Sequence, residues 1–310
     1  MHRLPTLALM AALCWVATAC GASRNTSEIP RVGVAFSPIA DIVRRLDLPV
    51  EPVVLVPAGQ EAHDYDPTPK DIERLDGATL FLYLGHGFQP NVESALAAMQ
   101  AGATRVDLLA HLTLLPVTDP LAGTEGDVSG ETLDGNRDPH VWLSPRNMTA
   151  MAGAVVDALV HAGLVTVEQG AAAVQRAATD YSTLDNEFRD GLANCTRREL
   201  VTTHRAFGYL AHDYGLTQVS IAGVSPAEEP SAKTLETVAA FVREHAVTTI
   251  FSEQNLPADL AATVAAETGA TTAALDTAES PSAEQLQQHD DYMSVMRRNL
   301  ATIRTALGCA

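Results

Sequence analysis

Three histidines and one aspartate, His63, His140, His204 and Asp276, recur at intervals of 77, 64 and 72 residues. Each is expected just past a β-strand or in a short loop that opens a helix, so the spacing places one ligand on each βα layer of a two-lobed chain. In open α/β sheets the crevice outside the carboxyl ends of the strands is where ligands bind. Three imidazoles and a carboxylate form a tetrahedral set that suits Zn²⁺. Glu61, two residues before His63, is an alternative fourth ligand, and Glu253 is placed to orient an imidazole from behind. His86, within Gly85-His86-Gly87, also follows a strand and is a candidate pocket residue. His111, His161, His212, His245 and His289 read as structural or surface residues. Trp142 reads as a packing residue, and Met293 and Met296 as the core face of the last helix.

The elements that must position these residues alternate between strand and helix. Arg31 to Phe36 predicts a first strand, and Ser37-Pro38 opens an amphipathic helix that runs to Leu46. Val53 to Val56 is a short apolar run flanked by prolines, as a buried parallel strand would be. The loop from Pro57 to Pro67 holds His63, and a helix follows through Asp71, Ile72 and Leu75. Thr79 to Leu84 predicts another strand, then a helix from Pro90 to Met99. After Asp138-Pro139-His140-Val141-Trp142, Pro145 opens a helix toward His161. Val167 to Leu192 lacks Pro and keeps a helical apolar period through Ala177, Tyr181, Leu184 and Phe188, so one helix of roughly 38 Å is expected. A second series places strands at Glu199 to Thr203, Thr217 to Ile221, Val247 to Phe251 and Thr271 to Leu275, with His204, Glu253 and Asp276 near strand ends, and closes on a helix from Asp291 to Leu307. Such alternation is the signature of doubly wound parallel sheets. The fold class is therefore α/β: a two-lobed chain with one helix long enough to bridge the lobes and the ligands meeting in the cleft between them.

Composition narrows the function. A formal charge of −18 over 310 residues argues against nucleic acid, which demands a basic face, and is compatible with drawing in cations. No internal stretch approaches the ~20 apolar residues of a membrane helix. Residues 1–19 read as an export signal: Arg3, an apolar run from Leu4 to Val16, then Ala17-Thr18-Ala19. Two readings compete at that junction. Ala17-Thr18-Ala19 is an ordinary small-x-small cleavage site, whereas Cys20 followed by Gly21-Ala22-Ser23 resembles a bacterial lipoprotein signal in which the thiol carries the lipid. Export leaves Cys20, Cys195 and Cys309 in an oxidising compartment. A disulfide between Cys195 and Cys309 leaves Cys20 free as lipid anchor. The expected organisation is a signal peptide (1–19), a tether (20–30), an N-terminal lobe (31–166), a linking helix (167–192) and a C-terminal lobe (193–310). The acidic, aperiodic segment from Asp119 to Asp138 is expected to be a surface loop.

Three stretches carry a resemblance: His63-Asp64-Tyr65-Asp66-Pro67-Thr68-Pro69-Lys70-Asp71, then Asp138-Pro139-His140-Val141-Trp142-Leu143-Ser144-Pro145, then Thr203-His204-Arg205-Ala206-Phe207-Gly208-Tyr209-Leu210. In this order they resemble the zinc/manganese solute-binding proteins of bacterial ABC importers, from Val32 to Leu307. The resemblance implies two Rossmann-like (βα)4 lobes joined by a single long rigid α-helix, metal held in the interlobe cleft by His63, His140, His204 and Asp276, and delivery to an ABC transporter permease by a monomeric extracytoplasmic protein. Manganese members of the family place a glutamate where this chain has His204; a third imidazole softens the site toward Zn²⁺. Many zinc members carry a histidine-rich loop near the site, and Asp119 to Asp138 contains no histidine. That loop is expected to speed zinc capture, by electrostatic steering or by docking a zinc-donating chaperone protein. The alternatives are a manganese-binding importer component and a zinc-dependent surface adhesin. No His-Glu-x-x-His, Gly-x-Ser-x-Gly or Walker-type loop is present, so an enzyme is not expected.

Overall fold

The computed structural model describes residues 29–99, 103–118, 121, 136–227, 229–253 and 258–310. The signal segment, the lipid-anchor candidate Cys20 and most of the acidic segment lie outside the described residues.

Two four-stranded parallel sheets organise the chain, with the same strand order in each. In the first sheet, β1 (Arg31–Val34) lies between β2 (Glu51–Val54) and β3 (Leu80–Tyr83), and β4 (Thr104–Asp107) pairs with β3. In the second, β5 (Glu199–Thr202) lies between β6 (Thr217–Ser220) and β7 (Thr249–Glu253), and β8 (Thr271–Leu275) pairs with β7. The crossovers carry α1 (Ser37–Arg45), α2 (Pro69–Glu73) and α3 (Pro90–Ala98) in the first unit, and α6 (Gly208–Tyr214), α7 (Ala232–Glu244) and α8 (Asp259–Thr268) in the second. α4 (Pro145–His161) and α5 (Val167–Gly191) stand between the two sheets in sequence, and α9 (Ala283–Gln288) and α10 (Tyr292–Leu307) end the chain.

The expected strand after α1 forms two residues earlier than the apolar run suggests. Pro52 then falls inside β2, which is tolerated because β2 is the sheet's edge and a proline cannot donate to a ladder. β4 has no counterpart in the sequence reading; Thr-Arg-Val-Asp is an edge strand whose first two residues are exposed, so it has no apolar run to betray it.

α4 and α5 lie along each other, and Gly170 permits their close approach: a Cβ there would stand 2.5 Å from Val156 Cγ1. α5 starts with a capping box in which Thr166 and Gln169 satisfy each other's amides. Its buried face, Ala173, Ala177, Tyr181, Leu184 and Phe188, joins an apolar core that also takes in the first sheet, α4 and α10. A second cluster, with Val201, Val219, Val238, Ile250 and Val264, fills the space between the second sheet and α7 and α8. Arg45 on α1 reaches Asp180 on α5 at 3.1 Å and Asp291, the N-cap of α10, at 2.6 Å. The disulfide Cys195–Cys309 forms as expected and ties the residues after α5 to the end of α10.

Candidate metal centre

His63 sits in the loop between β2 and α2, His140 at the start of a short 3₁₀ turn (Val141–Leu143) before α4, and His204 two residues past β5. All three are buried, with relative exposures of 1, 0 and 1%. Their Nε2 atoms converge, His140 to His63 at 3.2 Å and His204 to His140 at 3.4 Å. Ligand atoms 2.0–2.1 Å from a tetrahedral centre stand about 3.3–3.4 Å from one another, so this spacing is that of a zinc-sized coordination shell. The fourth member of the group is Glu279: one ligand atom from each of His63, His140, His204 and Glu279 lies within 4.8 Å of the others. Oε1 of Glu279 is buried without a hydrogen-bond partner, as a ligand atom awaiting a cation would be.

Asp276, expected as the fourth ligand, does not join this group. Its Oδ1 accepts the amide of Ala278 at 2.7 Å, and its Oδ2 accepts Gln285 Nε2 at 2.6 Å. Asn299 on α10 clasps the Asp276 backbone at both its amide (3.0 Å) and its carbonyl (2.7 Å). The aspartate therefore builds the turn after β8, and Glu279, three residues on, presents its carboxylate to the histidines. The sequence signal for this was local: Asp at a strand end commonly folds back onto the backbone two residues ahead.

Acids stand behind two of the imidazoles. Asp138 Oδ1 accepts from His140 Nδ1 at 2.8 Å and from the His140 amide at 2.9 Å. Glu253, at the end of β7, lies 2.5 Å from His204 Nδ1 through Oε2, while its Oε1 takes the His204 amide at 3.1 Å and the Thr203 hydroxyl. A proton on each Nδ1 turns the Nε2 lone pair toward the centre of the group, the usual device for orienting a metal-binding imidazole. Glu253 thus fills the orienting place expected of it. Glu61 is not in the group; its two oxygens accept the amides of His63 and Asp64, each at 2.9 Å, and hold the His63 turn. Gly208, at the start of α6, leaves the room Asp138 occupies, since a Cβ there would collide with Asp138 Oδ2.

Phe36, Phe88 and Trp142 wall the site from below, with Phe88 edge-on to His63 at 4.7 Å between centroids and Trp142 5.2 Å from His140. Trp142 is fully buried, as expected of a packing residue, and so is Met296. Burial pushes the Glu279 carboxyl up to about 7, with His63 and His204 opposing the rise. Burial likewise raises Asp138 to about 7 against the pull of the His140 amide. Burial also works against the charge on Glu253, but His204 and three hydrogen bonds outweigh it and hold the carboxyl below its ordinary value.

His86 stands beside Asp107, 3.7 Å away, outside the group. None of His111, His161, His212, His245 or His289 belongs to it either. The base of the acidic segment is ordered, with the Val117 amide bonding to the Asn136 carbonyl and the Asp138 amide to the Leu115 carbonyl, both at 2.9 Å. These bonds fix the approach to His140. A narrow mouth, lined by Gln60, Glu61, Glu253, Thr277, Glu279 and Ser280, leads to His204.

Residues 32–306 match the family model described as zinc-uptake complex component A, periplasmic. The chain is 31% identical over 308 residues to the high-affinity zinc uptake system protein ZnuA of Bacillus subtilis strain 168, covering 96% of this chain and 94% of the relative. It is 31% identical over 268 residues to the zinc-binding protein AdcA of Streptococcus pyogenes, covering 81% of this chain and 50% of that protein. The chain thus matches about half the length of AdcA. Among solved structures, it is similar to the Zn(II)-bound ZnuA-like domain of Streptococcus pneumoniae AdcA, with a TM-score of 0.73, 27% identity, and 90% and 99% of the two chains covered.

Proposed function

The chain belongs to the family of the periplasmic zinc-uptake component A, and from that premise we propose that it captures Zn²⁺ outside the cytoplasm and hands it to an ABC transporter permease. His63, His140, His204 and Glu279 are the ligands in this reading, and zinc is cargo. The observation that carries it is the convergence of three buried Nε2 atoms and one carboxylate at tetrahedral spacing. A third imidazole in place of a second acid favours zinc over manganese, which prefers oxygen ligands. Four protein ligands close the sphere, whereas a hydrolytic zinc keeps one position open for water. The full sphere therefore supports capture and transfer over catalysis.

Anchoring through lipidated Cys20, a monomeric state, α5 as the rigid link between lobes of residues 31–166 and 193–310, and a zinc-donating partner at the acidic segment belong to the same reading. Protein purified without added metal should carry one zinc per chain by elemental analysis, and competition titration should rank Zn²⁺ far above Mn²⁺. A metal-free product that also fails to take up zinc would sink the reading.

A further inference from the structure

The turn that presents Glu279 is pinned on both sides to residues of the first sheet's unit. On one side Trp142 Nε1 donates to the Thr277 carbonyl at 2.7 Å. On the other, the Ser280 hydroxyl accepts the Gly59 amide at 2.7 Å and donates to the Pro57 carbonyl at 3.3 Å. Pro57 and Gly59 belong to the loop that runs into His63. Gly59 has φ +77°, a conformation L side chains rarely adopt, and it turns the amide toward Ser280. Ser280 is buried, adjoins Glu279 and lines the mouth together with Gln60 and Glu61. One hydroxyl therefore joins the two rims of a cavity that reaches both His204 and Glu279.

We infer that Ser280 is a positioning residue that acts through Glu279: its bridge to Pro57 and Gly59 holds the carboxylate against the three imidazoles and sets how fast metal leaves. The inference rests on the zinc reading above. Without the hydroxyl, the Gly59 amide loses this acceptor and the Pro57 carbonyl keeps the Gln60 amide alone of its two donors, so the two rims part and Glu279 is held less firmly on its C-terminal side. The carboxylate should then spend more time off the metal, while the three imidazoles still capture it. The bland alternative is a staple that adds to stability and nothing else.

Stopped-flow release of Zn²⁺ into excess chelator separates the two. Ser280→Ala should release zinc on the order of 10-fold faster than wild type, the equivalent of one to two lost hydrogen bonds, with association changed by less than about 2-fold. In a Glu279→Ala background the same substitution should leave release unchanged, because the residue through which it acts is gone. Amide exchange of metal-loaded protein gives a second readout: Gly59 should exchange at least about 10-fold faster in Ser280→Ala than in wild type. Equal acceleration of release in both backgrounds, no acceleration in either, or equal Gly59 exchange overturns the inference and leaves the zinc reading standing. A wild-type chain that binds no zinc overturns the reading, and the inference falls with it.

Discussion

Asp138 and Glu253 each touch a histidine from behind, at Nδ1, while the Nε2 atoms converge on the other side. Asp138→Asn and Glu253→Gln should therefore weaken zinc binding by about 10- to 100-fold, the usual effect of removing an orienting partner. Among the acids that follow β8, Glu279→Ala should lower affinity by more than that, whereas Asp276→Asn should retain far more affinity than Glu279→Ala. Competition titration of the four variants checks both orderings. Protonation supplies a further test at this scale. Burial raises the Glu279 and Asp138 carboxyls to about 7, so the folded, metal-free chain holds those protons more tightly than the unfolded one. A raised carboxyl favours folding at low pH, and that contribution is lost as pH rises through the folded value. Coordination has the opposite sign, because the imidazoles must be neutral and Glu279 ionised. Between about pH 5 and about pH 8 these two groups should lower the melting temperature of metal-free protein, while the stabilisation added by zinc grows. A zinc increment that shrinks over that range would contradict the ligand set.

At the scale of elements, the turns after strands carry the chemistry and the helices hold the turns in place. The disulfide is the covalent tie among the described elements, with 114 residues separating Cys195 from Cys309. Closing a loop of that length stabilises the folded chain by roughly 4 to 5 kcal/mol in the chain-entropy model. Replacing both cysteines with alanine should lower the melting temperature by several degrees and leave zinc affinity nearly unchanged, since neither cysteine belongs to the group. Much of this layer is legible in the sequence. Val167 to Leu192 reads as one helix because it lacks proline and keeps an apolar period, and the histidines read as a group because each is expected past a strand or in a short loop that opens a helix. Two things are not legible. β4 is a polar edge strand without periodicity, and β2 is shifted by tertiary pairing that overrides its apolar run. Asp276 looks like a ligand because it is the first residue past β8; only the bonds to Ala278, Gln285 and Asn299, two of them distant in sequence, reveal that it shapes the turn for Glu279.

For the whole molecule, the ties between the two sheet units argue against a wide hinge. Arg45 holds α1 to α5 and to the start of α10, Tyr292 donates its hydroxyl to the Trp142 carbonyl at 2.6 Å, and one apolar core spans both units. α5 has no proline, and its glycines, 170 and 191, fall near its ends, so nothing in its middle invites a kink. Metal loss should therefore rearrange the turns at the mouth and leave the radius of gyration nearly constant, in contrast to domain-closing binding proteins. Small-angle scattering of metal-free and zinc-loaded protein checks this, and a large change would refute it. The claim on which everything else depends is the identity of the four ligands. Crystals of zinc-loaded protein measured at the zinc absorption edge test it most directly. A single anomalous peak is expected about 2.0–2.2 Å from Nε2 of His63, His140 and His204 and from a carboxylate oxygen of Glu279. A peak bonded to Asp276 in place of Glu279, or no peak within bonding distance of the three imidazoles, would contradict it.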